Sequence, residues 1–289
     1  MTPVGDFCVD LDSLAGPLPQ RLAEVRKAGL TAVVARAEGL AGQGDAIEDW
    51  QGLRLAALSV ALDYEGLDGA LHQHKLNVAK SLLLQCRRLR CRTLVIEAST
   101  LAAASRDFAH TVRDLRKLAL LAVPPGLRIA LRAHPGASHV HDFMVAADLI
   151  QAAEQPNLGL ALDVREWLAE PADLSQLEGI APESIFMVQL ADALQPVAAP
   201  AEGPSAALVP DDLLFPGEGL HRARLQALVE RLHRVGFAGD YVFWDVQADC
   251  RILPDGVVAR RARRAADWLA EDVLRRSQPL SALRRRVVG

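Results

Sequence analysis

Several polar side chains stand at or just past the ends of short apolar runs. They are Glu97 in "TLVIEAS", Arg132 and His134 in "LRIALRAH", Asp163 in "LGLALDV", Gln189 and Asp192 in "SIFMVQLADA", and Asp245 in "YVFWDV". A carboxylate closing a buried run is costly unless it meets a cation, a metal or a hydrogen-bonding ligand. Asp163 is the clearest case. Arg132 and His134 are two residues apart, so in a strand they share a facing. One reading is an internal ion pair, Arg132 with Asp163, filling the space. The other is a binding site for a polar ligand, in which acids, an amide and an imidazole converge. The residues alone leave both open.

The elements that must position these groups are short strands separated by helices. The strand candidates are residues 7–11, 31–36, 54–62, 93–99, 127–134, 158–164, 184–191 and 241–246. Between them, "PLPQRLAEVRKAGL", "HKLNVAKSLLLQCRRLR", "RDFAHTVRDLRKLALLAV", "HDFMVAADLIQAAEQ" and "HRARLQALVERLHRVGFAG" repeat apolar residues at spacings of three and four. A last amphipathic helix, "DGVVARRARRAADWLAEDVLRR", carries a basic face. Strands regularly separated by helices predict a parallel sheet. Eight such units in 289 residues predict an α/β fold, a single (β/α)8 barrel over 1–275, followed by a basic tail over 276–289. No GxGxxG follows the first strand, which argues against an open dinucleotide-binding sheet. In such a barrel the strand C-termini carry the site, and that is where the polar residues above fall. The proline-rich stretch 194–219 is too long for a plain connection.

Composition narrows the partners. A net charge of −4 gives no global reason to expect nucleic acid. The four cysteines, at 8, 86, 91 and 250, show no CxxC or repeated spacing, so free thiols in a reducing cytoplasm are expected. The first residues lack a basic segment followed by an apolar one, and no apolar run reaches the roughly 20 residues that span a bilayer. The expectation is a cytoplasmic protein with a small-molecule ligand, no nucleic acid and no membrane; a homo-oligomer is compatible.

The segments "PNLGLALD", "IFMVQLADA" and "FPGEG", then a helix and "VGFAGDYVFWD", resemble in order and spacing the xylose isomerase-like TIM barrels. That group includes sugar phosphate isomerases/epimerases and inosose dehydratases. "VQLADA" and "DYEGL" (63–67) are most similar to bacterial 3-dehydroshikimate dehydratases. The resemblance implies one divalent ion (Mg, Mn or Co) held by a Glu on the fifth strand, an Asp on the sixth, a Gln or His on the seventh and a Glu on the eighth. Asp163 and Gln189 fall on two of these positions. The others fall on Arg132 and Trp244, with the fifth-strand register pinned by "SHVH". The catalytic His falls on Glu166, a substrate-binding Arg on Leu213, and a second-strand Glu on Val34.

A cation at 132 stands where the metal would sit. The expectation is therefore a degenerate site without a resident cofactor. The alternative is a metal kept by His134, Asp163, Gln189 and Asp245. The expected function is a divergent sugar phosphate isomerase/epimerase-like or 3-dehydroshikimate dehydratase-like protein. It would act on a small polyhydroxylated carbonyl compound by abstracting a proton beside the carbonyl. Glu166 is then the candidate base, Arg132 the electrophile or anion clamp, and His139 a further catalytic candidate. His134, Asp163, Gln189, Asp192 and Trp244 are candidate substrate contacts, although Asp192 also suits a loop anchor. His72 and His74 read as solvent-facing, Glu218 as favouring a helix N-terminus, and "RRARR" (260–264) as a solvated face. The alternative function is a catalytically inactive barrel that binds a small anionic ligand or a partner protein.

Overall fold

Eight short strands rich in valine, leucine, isoleucine and alanine bury both faces, the signature of a parallel sheet covered on each side. They are β1 (Phe7–Asp10), β2 (Ala32–Arg36), β3 (Arg54–Val60), β4 (Thr93–Glu97), β5 (Arg128–Arg132), β6 (Leu158–Asp163) and β7 (Ile185–Leu190), closed by β10 (Asp240–Phe243). In this computed structural model they form a closed parallel barrel in the order β1-β10-β7-β6-β5-β4-β3-β2. The two-residue strands β8 (Asp192–Ala193) and β9 (Leu213–Leu214) pair antiparallel beside it. The structure describes residues 5–40, 50–168, 173–195, 213–244, 246, 250 and 252–275, with the side chain of Glu166 excluded. The basic tail and most of the proline-rich stretch lie outside these residues.

Alternation along the strands divides the core in two. One set of side chains points outward to α1 (Leu18–Lys27), α2 (Gly69–Arg88), α3 (Phe108–Ala122), α4 (Phe143–Ala153), α6 (Arg222–Val235) and α7 (Asp255–Asp267). Those helices carry the expected periodic residues, such as Leu82, Leu115, Leu118, Leu149 and Leu228, all buried. Each buried leucine of this kind stabilises by roughly 1.5–3 kcal/mol. A short α5 (Arg165–Leu168), not anticipated from periodicity, follows β6. Carboxylates start α3 and α4: Asp107 accepts from His110 N at 2.7 Å and Asp142 from Val145 N at 2.8 Å.

The second set fills the barrel interior with small residues, among them Cys8, Ala32, Val34, Ala57, Val95, Ala130, Ala161, Met187 and Val242, under Trp244. At the N-terminal end Arg54 spans from β3 to Asp6 (2.8 Å) and Asp240 (2.8 Å). At the C-terminal end the same alternation brings up one residue per strand. In order round the barrel these are Asp10, Trp244, Gln189, Asp163, Arg132, Glu97, Ser59 and Arg36. The register sets Glu97 opposite Arg132, Asp163 opposite Gln189 and Arg36 opposite Ser59. That ring is the mouth.

Candidate functional site

The centre of the mouth is a guanidinium. Arg132, with its side chain 7% exposed, pairs with Glu97 Oε2 at 2.7 Å and approaches Asp163 Oδ2 at 3.8 Å. Its Nη1 also donates to Gln189 Oε1 at 3.4 Å. The expected Arg132–Asp163 pair is therefore the longer of two. The register puts Glu97 directly beside Arg132, and Asp163 has a nearer cation of its own. Arg165, two residues on, folds back so that its Nε lies 2.9 Å from both carboxylate oxygens, with Nη2 closer still, and its backbone N–H donates to Oδ1. Burial pushes the Asp163 carboxyl up, but the charge and hydrogen bonds of Arg165, with Arg132, hold it below the ordinary carboxylate range.

Glu97 also faces His134, whose Nε2 lies 3.4 Å from Oε1. His134 Nδ1 accepts the Gly136 N–H at 3.0 Å, so the neutral ring carries its proton on Nε2, turned to Glu97. Both ring nitrogens are engaged. Across the mouth, Arg36 reaches Asp10 Oδ2 and Asp12 Oδ2, each at 3.4 Å. Arg36 and Arg132 both lie against the Trp244 ring, their Cζ atoms 4.7 and 5.1 Å from its centroid.

The family model described as "Xylose isomerase-like TIM barrel" matches residues 22–271. The chain belongs to this family. Among relatives of this xylose isomerase-like barrel, a 3-dehydroshikimate dehydratase of Pseudomonas aeruginosa (strain PAO1) is 29% identical over 187 residues, covering 63% of this chain and 30% of that protein. An inosose isomerase of Halalkalibacterium halodurans is 28% identical over 130 residues, covering 44% of this chain and 43% of its own. The barrel thus spans less than half the length of these curated relatives that it matches. A solved xylose isomerase-like TIM barrel/4-hydroxyphenylpyruvate dioxygenase fusion protein superposes with a TM-score of 0.83 at 25% identity, over 96% of this chain and 45% of that one.

A divalent ion does not fit the residues as placed. Metal ligands must be free acceptors, yet the oxygens of Asp163 and the amide oxygen of Gln189 face arginine N–H groups. A cation about 4 Å from a unit charge at an effective dielectric near 20 is repelled by roughly 4 kcal/mol, and a dication by about twice that. His134, offered as a substitute ligand, has neither nitrogen free. Asp245, the other substitute, lies outside the described residues. Among those residues no group of three or more His, Cys, Asp or Glu is arranged to hold an ion.

The remaining candidates scatter. The Glu166 side chain lies outside the described part. His139 Nδ1 is 3.0 Å from Thr111 Oγ1, which itself donates to Asp107 O, so the imidazole is tied to the start of α3. Burial, then the neighbouring His141, lower its pKa. Asp192 is fully buried, and its carboxylate accepts four backbone N–H groups, from Ala193, Gly217, Gly219 and His221, at 2.8–3.1 Å. It anchors the "FPGEG" turn and presents no free oxygen to the mouth. Glu218 pairs with Arg261 at 2.6 Å, and Arg263 donates to Gly29 O at 2.9 Å, so the basic run is partly an inter-element clasp rather than a wholly solvated face. His74 is exposed, whereas His72 is half-buried, 4.0 Å from Asp114.

Asp10, Ser59, Arg36 and Arg165 were not anticipated from the sequence. Asp10 and Arg36 obey the same late-in-strand rule that found the others. Arg165 had a weaker signal, a cation two residues after a buried acid. The described residues include no helix long and apolar enough to cross a membrane. The four cysteines are buried thiols, none in a disulfide.

Proposed function

We propose that the barrel mouth binds a small carbonyl compound without a resident divalent metal, with Arg132 supplying the positive charge at the metal position. One observation carries this reading: the guanidinium lies among Glu97, Asp163 and Gln189, two of which are positions the family resemblance gives to metal ligands. A fixed cation in a site of low polarity stabilises charge developing on a carbonyl oxygen, as a metal would, without reorganising during reaction. The relatives named as a dehydratase and an isomerase support proton abstraction beside a carbonyl as the reaction class. Glu166 is the position offered for the base.

A specific observation favours a second reading, a non-catalytic ligand-binding barrel. Glu97, Asp163 and His134 are each engaged by a neighbour, so none stands free as a base. Metal analysis of protein purified without chelators, and melting curves with Mg, Mn and Co, test the first statement. Stoichiometric metal, or stabilisation by any of the three, refutes it. A screen of hydroxy acids and sugar phosphates then tests the site. Stabilisation lost in Arg132→Met supports it, and turnover lost in Glu166→Gln separates enzyme from binder.

A further inference from the structure

Gln189 carries a donor with nothing to donate to. Its residue is 1% exposed, late in β7, and Nε2 is buried without a hydrogen-bond partner among the described residues. The orientation of this amide is fixed by its neighbour. An arginine has only donors, so Oε1 is the atom that faces Arg132 Nη1, at 3.4 Å, and the N–H is turned away. Strand register sets Asp163 beside Gln189, and its carboxylate would be the natural acceptor. Arg165 has taken both of its oxygens. The orphaned N–H is thus a product of the arginine contacts that fill the site.

Arg132 repeats the pattern. Its Nη2 meets Glu97 and its Nη1 faces Gln189 and Asp163, while Nε is buried with no partner among the described residues. Two open donors therefore stand on side chains bonded to each other. The acceptors around them are already in use: both oxygens of Asp163, both of Glu97, the Gln189 carbonyl and His134 Nδ1 each face an N–H group. A buried N–H without an acceptor is a standing cost that a ligand oxygen removes. A carbonyl oxygen does only that. A hydroxyl also brings a proton, which must compete with those N–H groups for an acceptor.

We infer that Gln189 is a specificity-determining residue of the mouth: its amide N–H donates to the carbonyl oxygen of the ligand and so selects carbonyl compounds over the corresponding polyols. Arg132 supplies the charge and Gln189 the directed hydrogen bond. The Trp244 ring, 3% exposed, lies against the Arg132 guanidinium, so the entering oxygen takes up space that the indole now covers. This assignment rests on the proposed function, because it uses the same metal-free mouth. It gives the position that the resemblance assigns to a metal ligand the opposite sense, donating through nitrogen rather than accepting through oxygen.

The test is a ligand-observed NMR titration with two matched pairs, erythrulose against erythritol and dihydroxyacetone against glycerol. The parent protein is expected to bind each carbonyl compound at least about tenfold more tightly than its polyol. Gln189→Met keeps the length of the side chain and removes the donor, and its preference is expected to fall to about threefold or less. Gln189→Glu keeps an oxygen for Arg132 and, ionised at pH 8 beside the guanidinium, has no donor, so the same collapse is expected. Both variants should melt cooperatively. A residue that only shaped the mouth would lower both affinities and leave their ratio alone, so the ratio is the readout. Equal affinities within each pair for the parent overturn the inference. So does a preference unchanged in Gln189→Met or, should that variant not fold, in Gln189→Glu. If the preference is lost in Arg132→Met but persists in the Gln189 variants, this assignment falls and the proposed function stands. If none of the probes binds the parent protein, both fall.

Discussion

Replacing Glu65 by glutamine should remove a pH dependence of stability that the parent protein carries. Glu65, in the loop between β3 and α2, is 3% exposed. Its Oε1 accepts the Ser99 N–H at 2.5 Å, and its Oε2 is buried with no partner among the described residues. Burial raises the carboxyl from 4.5 to about 7, against the opposing pull of the Ser99 hydrogen bond. The folded protein therefore keeps a proton that the unfolded chain has already released between about pH 4.5 and 7. Stability from this group is complete below that window, is lost as pH rises through it, and is flat above it. At roughly 1.4 kcal/mol per pH unit the loss amounts to about 3 kcal/mol.

Glutamine keeps an oxygen for the Ser99 N–H and cannot ionise. The assay is the melting temperature of parent and variant at pH 5, 6, 7 and 8, read as the difference at each pH so that shared titrations cancel. For a domain of this size about 3 kcal/mol corresponds to roughly 5 °C. The variant should gain on the parent by about three quarters of that amount between pH 5 and 8. A difference that stays constant across the series refutes the reasoning, since it would mean that Glu65 ionises in the fold as freely as in the unfolded chain.

Two further outcomes follow from the contacts. Asp192→Asn should cost about 2–4 kcal/mol in chemical denaturation, because a carboxylate accepting four backbone N–H groups is replaced by an amide that turns a donor toward some of them. Arg54→Ala should cost about 1–2 kcal/mol, a modest figure because the side chain is 46% exposed, and the loss should shrink in high salt, as expected of a partly screened clasp between Arg54, Asp6 and Asp240.

The sequence made the barrel legible because its strands are short, buried on both faces and spaced by amphipathic helices. Each of the eight strand candidates overlaps an observed barrel strand. The ring at the mouth was partly legible, since a polar residue closing an apolar strand has one place to point. What sequence could not supply was partner choice. Asp163 could have met Arg132, a metal or a ligand, and the answer, mainly Arg165, depends on how the two residues after β6 turn back. Arg132 instead took Glu97 because strand register sets them side by side, a fact of three dimensions rather than of spacing. Glu65 shows the same limit: "DYEGL" gives no sign that its acid is sealed under Ser99.

These two ion pairs also bear on how the family's site could have changed. A carboxylate cluster that loses its metal is left with repelling charges, each costing several kcal/mol to keep buried. Arginine at 132 meets that cost from within, by pairing with Glu97 and facing Asp163 and Gln189, while Arg165 neutralises what Arg132 leaves of Asp163. On the proposed metal-free reading, the mouth is inverted in hydrogen-bonding sense, from a ring of acceptors that would collect a cation to one whose buried unpaired groups, Gln189 Nε2 and Arg132 Nε, are donors. That inversion is why Gln189 matters. Its carbonyl oxygen, the atom that the resemblance would turn to a metal, faces the Arg132 guanidinium, and its N–H has no partner among the described residues.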